Sequence, residues 1–86
     1  MVRKASDRFS ETTIDDEIVV MNLESGDFFS LTGTARDIWL LIDGRRDEGA
    51  LVAALAADYG VDEATIGLDV ADFLTQLEAA GLLAAP

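Results

Sequence analysis

Near Leu31 the spacing of apolar residues changes from every second position to every third or fourth, which divides the chain into an extended part followed by a helical part. In the extended part, Phe9 to Ile14 reads as a first strand and the β-branched run Glu17 to Leu23 as a second, with Asp15-Asp16 turning between them. Glu24-Ser25-Gly26 predicts a three-residue hairpin loop, with Gly26 in its left-handed position, leading into a third strand that carries Phe28 beside Phe29. A loop of that length pairs Leu23 with Asp27, Met21 with Phe29 and Val19 with Leu31. One face then carries Val19, Met21, Phe29 and Leu31, and the other Ile18, Val20 and Phe28 with Asn22 and Ser30. Successive side chains on a strand point to opposite faces, so Phe29 enters the core and Phe28 is left on the second face or the rim. The third strand, last in the meander, is expected to be a free edge.

After Leu31, Thr32 or Thr34 can cap a helix bearing Ile38, Trp39, Leu41 and Ile42, which stops at Asp43-Gly44. A second helix fits Asp47 to Tyr59, with Asp47 as cap, Leu51, Val52, Leu55 and Ala56 as its buried stripe, and Gly60 as terminator. Asp62 caps a third. Val61 is placed to staple against Ile66, and Ile66, Val70, Phe73, Leu74 and Leu77 recur on one face. Gly81 suits a left-handed C-terminal cap, with Leu82 folding back on Leu77. The predicted fold is α+β and winged helix-turn-helix-like: a three-stranded antiparallel meander followed by three helices, in a single domain spanning residues 1–86. The expected core includes Val19, Met21, Phe29, Leu31, Trp39, Leu55, Val70, Phe73 and Leu77.

Composition removes most chemistry. Cysteine and histidine are both absent, which excludes disulfides, thiol nucleophiles, the usual zinc ligands and the commonest general base. No nucleophile and base arrangement is visible, so neither catalysis nor a cofactor is expected. The formal charge is −11, from 6 basic and 17 acidic residues, and no Lys or Arg occurs after Arg46. This decides against DNA binding despite the winged-helix pattern, because the third helix would meet one backbone phosphate about every 1.7 Å with acidic groups alone. An acyl carrier is also excluded: no serine follows Ser30, and Leu68 stands in Gly67-Leu68-Asp69-Val70 where an attachment serine would be needed. Asp15-Asp16-Glu17 lacks the spacing of a calcium loop and reads as a solvated turn. The basic start has no apolar run behind it, and no stretch reaches membrane-spanning length, so a cytoplasmic protein is expected, with neither nucleic acid nor membrane as partner.

Three stretches together carry a family resemblance. The succession D-E-I-V-V-M-N-L-E-S-G-D-F-F-S-L-T-G-T-A-R-D-I-W-L-L-I-D-G, then A-L-V-A-A-L-A-A-D-Y-G-V-D and D-V-A-D-F-L-T-Q-L-E-A-A-G-L-L, resembles the peptide-recognition domain typified by the coenzyme pyrroloquinoline quinone synthesis protein D. The diagnostic pieces are the valine-rich strand, the N-L-x-S/T-G turn with two aromatics after it, the L-x-x-T-A-x-x-I-W helix start and the G-L-L ending, and the resemblance covers the chain from about Arg8 to Leu83.

The resemblance implies a non-catalytic domain. It binds the leader segment of a ribosomally made precursor peptide as a strand added to the third strand, against the third helix, and presents it to a separate maturation enzyme. That enzyme could be a radical enzyme, a lasso-type protease or another modifying enzyme. The candidate peptide-binding residues are Asp27, Phe28, Phe29, Ser30 and Leu31 on the strand, with Asp69, Asp72, Phe73, Gln76 and Leu77 on the helix. The acids among them are expected to read a basic residue or a backbone amide of the leader. The alternative is a chaperone-like regulatory subunit that binds a partner enzyme without engaging a peptide strand.

Overall fold

The computed structural model describes residues 1–84. Strands β1 (Phe9–Ile14), β2 (Glu17–Asn22) and β3 (Phe28–Leu31) are followed by helices α1 (Gly33–Leu41), α2 (Glu48–Tyr59) and α3 (Glu63–Ala79). The sheet is antiparallel with order β1-β2-β3, so β3 is an edge. This is the α+β arrangement that the change of period predicts.

The register differs from the sequence expectation by one residue. Ile18 pairs with Leu31, Val19 with Ser30, Val20 with Phe29 and Met21 with Phe28. The hairpin loop has four residues, Leu23 to Gly26, closed by the Asn22 amide donating to the Asp27 carbonyl (2.9 Å) and the Gly26 amide donating to the Asn22 carbonyl (2.8 Å). The Asn22 side-chain oxygen accepts from the Glu24 and Ser25 amides at 2.9 and 3.1 Å, which builds the extra residue into the turn. Gly26 holds the left-handed conformation expected of it (φ +78°).

A one-residue slip exchanges the faces of a strand. Ile18 and Val20 are therefore the buried pair on β2, while Val19 and Met21, expected in the core, stand half-buried on the outer face. Phe29 and Leu31 keep their inward direction, and Phe28 and Ser30 share the outer face with Met21 and Val19.

The remaining expected core positions, Trp39, Leu55, Val70, Phe73 and Leu77, are buried. Trp39 is fully enclosed; its indole N–H donates to Glu11 (2.8 Å), Phe9 meets it edge-on at 5.3 Å, and the Lys4 ammonium lies 4.3 Å from its ring. Burial there lowers the Lys4 pKa, with Glu11 acting in the opposite direction. Lys4 is placed by a short antiparallel bridge to Leu83, an N-terminal pairing that no sequence signal announced.

Asp47 caps α2 by accepting from the Ala50 amide (2.8 Å), and Gly60 ends it in the left-handed conformation. Thr32 and Asp62 occupy the cap positions of α1 and α3 without a side-chain hydrogen bond, and Val61 remains exposed rather than stapled. At the end of α3, Gly81 is left-handed (φ +75°) and the Leu82 amide returns to the Leu77 carbonyl at 3.0 Å, as expected, with Leu82 fully buried.

The register makes two substitutions distinguishable. Val20→Asp buries an unpaired carboxylate at a cost comparable to the whole stability of a small domain, so it should unfold the protein, whereas Val19→Asp should change stability by about 1 kcal/mol or less. Circular dichroism and urea titration read the pair; the reverse order would restore the other register.

A second prediction concerns the only tyrosine. Tyr59 donates to Asp37, tying the end of α2 to α1, and this bond raises the phenol pKa above 10.0. A raised folded-state value means that the contribution to stability is complete below pH 10.0 and lost as pH rises through the folded value. Ultraviolet titration of the tyrosinate should show a midpoint above that of a free phenol, and Asp37→Ala should move it down.

Candidate peptide-binding groove

The free edge of β3 and the flank of α3 enclose an open groove of about 680 Å³. Two contacts place its walls. The Asn22 side-chain amide donates to the Ala80 carbonyl (2.8 Å), tying the β2–β3 hairpin to the end of α3. Leu31, buried at the far end of β3, runs directly into α1, whose Ala35 closes the groove from the side.

Hydrogen bonding along an antiparallel ladder alternates between paired and unpaired positions. Because Asn22 bonds to Asp27, the bonded pairs are Asn22–Asp27, Val20–Phe29 and Ile18–Leu31. The N–H and C=O groups of Phe28 and Ser30 therefore point away from β2, along the open edge. Their backbone donors and acceptors are free for another strand.

Seven of the ten candidate residues come together here: Phe28, Phe29, Ser30, Leu31, Phe73, Gln76 and Leu77 all line the groove. Asp27, Asp69 and Asp72 do not. Asp27 precedes β3 and is exposed at the hairpin. Asp69 and Asp72 are exposed on α3, about 6 and 1.5 Å along the helix before the lining residue Phe73 at 1.5 Å per residue. Ala35, Ala79 and Ala80 complete the lining and were missed. The available signal was the small-residue run Ala79-Ala80-Gly81, which lets a strand approach the helix end closely.

No lining residue is titratable; Gln76 supplies a polar side chain, and Ser30, paired with Val19, carries its hydroxyl on the outer face. Among the described residues no group of His, Cys, Asp and Glu is arranged to hold a metal ion. The lining holds no base beside Ser30 to activate it, so it offers apolar burial and unpaired backbone, which suit binding.

The family model for Coenzyme PQQ synthesis protein D (PqqD) matches residues 17–83. The chain belongs to the PqqD family. The match contains both walls of the groove, from β2 through α3. Among solved structures, the PqqD-family chain is similar to "TbiB1 in Complex with the TbiA(beta) Leader Peptide", with 34% identity over 93% of each chain and a TM-score of 0.82. A search of curated protein sequences returns no match. Among the described residues no helix is long and apolar enough to cross a membrane.

Phe73 is both a wall of the groove and part of the core. Phe73→Ala should destabilise the domain by about 3 to 5 kcal/mol, measured by urea unfolding. A loss below about 1 kcal/mol would mean that the ring packs less tightly than its 9% exposure indicates.

Proposed function

We propose that the domain binds the leader segment of a ribosomally made precursor peptide as a fourth strand on β3 and presents it to a separate maturation enzyme in the cytoplasm, performing no chemistry itself. The carrying observation is the unpaired edge of β3 beside an apolar groove walled by α3. The membership in the PqqD family and the similarity to a protein solved with a leader peptide support the same reading. No observation favours a regulatory subunit that leaves this edge empty.

Magnitudes indicate which contacts decide affinity. The outward groups of Phe28 and Ser30 can form about four main-chain hydrogen bonds, each worth about 0.5 to 1.5 kcal/mol net. Association and ordering of an extended segment cost about 4 to 15 kcal/mol. The backbone ladder therefore fixes orientation but cannot hold the peptide alone. Two Leu-sized side chains buried against Phe29, Phe73 and Leu77 add about 1.5 to 3 kcal/mol each, so the groove supplies both the remaining affinity and the selectivity. Asp27, Asp69 and Asp72 lie beyond the groove and act over longer range, favouring leaders with basic residues outside the apolar segment.

Two expectations follow for a fluorescently labelled leader titrated against the domain. Ser30→Pro removes an N–H that no residue of β2 uses, so the variant should stay folded by circular dichroism while binding at least about tenfold more weakly. Affinity should also fall as salt rises from about 0.1 M to about 1 M, where the screening length contracts from about 10 Å to about 3 Å. Wild-type affinity in a folded Ser30→Pro variant would remove the peptide from this edge.

A further inference from the structure

Phe28 is the most exposed aromatic ring described, at 69% of its full accessibility, and the groove between β3 and α3 does not account for it. It stands at the mouth of that groove, but its pairing with Met21 directs its Cβ to the opposite, outer face of the sheet. There it has Met21 on one side and the open edge on the other. Directly opposed residues on neighbouring strands share a face, with Cβ atoms about 4.5 to 5.5 Å apart. Any strand added to β3 must therefore set one of its own side chains beside Phe28.

We infer that the leader is read on both faces of the extended sheet, with Phe28 as a specificity-determining residue that selects an apolar or aromatic side chain on the outer face. This rests on strand addition to β3. In an antiparallel ligand, the residues opposite Leu31 and Phe29 point into the groove, the intervening residue opposite Ser30 points outward, and the residue opposite Phe28 follows on the outer face. From ligand N- to C-terminus the pattern is apolar, any, apolar, apolar. The first and third side chains meet the groove wall at Leu77; the fourth completes a sandwich with Phe28 and Met21. Ser30, small and polar, imposes nothing on the second. The order follows from the observed bonding alternation along β3.

The test is a displayed library of random dodecapeptides, panned in parallel on the wild-type domain, Phe28→Ala and Ser30→Pro, each first shown to be folded by circular dichroism. Wild type should enrich the four-residue pattern. Phe28→Ala should retain the first and third apolar positions and lose the fourth, and should bind peptides selected on wild type about three- to tenfold more weakly. Ser30→Pro should recover no such pattern. If Ser30→Pro abolishes selection while Phe28→Ala selects the same pattern as wild type, strand addition stands and the outer-face role of Phe28 is wrong. The mirrored order, apolar, apolar, any, apolar, would mean a parallel ligand and overturn the antiparallel arrangement. If wild type enriches no pattern, or Ser30→Pro enriches the wild-type pattern, both strand addition and the role of Phe28 fall.

Discussion

The architecture depends on the side chain of Asn22. Its oxygen accepts from two loop amides and so shapes the hairpin, while its nitrogen donates to the Ala80 carbonyl at the end of α3. One residue thus fixes the β2–β3 register and joins the hairpin to the helix that forms the opposite wall of the groove. Gly81, just beyond the Ala80 carbonyl, holds a left-handed backbone (φ +75°) that side chains rarely adopt, so the turn ending α3 beside Asn22 favours glycine. The Asn22–Ala80 bond anchors the hairpin end of the sheet to the end of α3. A binding groove of this kind needs such preorganisation, since every side chain ordered on binding subtracts from affinity.

From the alternation along β3 follow the two properties of the edge. Phe29 and Leu31 point inward over the groove, and the backbone groups of Phe28 and Ser30 point outward, so the same four-residue strand offers a wall and a ladder. The groove lining carries no charge, whereas the chain around it is strongly acidic, with a formal charge of −11. Under the proposed strand addition, short-range recognition would be apolar and main-chain, and long-range attraction electrostatic and sensitive to salt. This division suits an adaptor. An adaptor holds a segment for another protein to act on.

Much of this was legible in the sequence, for identifiable reasons. The β-branched run of β2, the change of period after Leu31, the Asp47 cap and the glycines at 26, 60 and 81 each specify local geometry directly. The wall residues Phe73, Gln76 and Leu77 follow from helical periodicity, and the edge from strand order. The register was not legible. Both faces of β2 are apolar, Ile18 and Val20 against Val19 and Met21, so burial pattern alone could not choose between them; Asn22, whose side chain lengthens the loop by one residue, made the choice. Asp69 and Asp72 share a helix face with Gln76 but do not line the groove: Asp72 stands one residue before the lining residue Phe73, so its direction around the helix leaves it out, whereas Asp69 lies a turn further along. The bridge between Lys4 and Leu83 joins the two ends of the described chain, and nothing in local sequence encodes a contact of that separation.

The central claim is that the outward backbone groups of Phe28 and Ser30 receive an added strand. Residue-resolved amide hydrogen exchange tests it most directly. In the free domain, the Phe29 and Leu31 amides should be protected by β2, while those of Phe28 and Ser30 exchange rapidly. Saturation with the precursor leader should confer protection on Phe28 and Ser30. If both amides stay unprotected in a domain saturated with leader, the peptide binds without joining the sheet and the account is wrong.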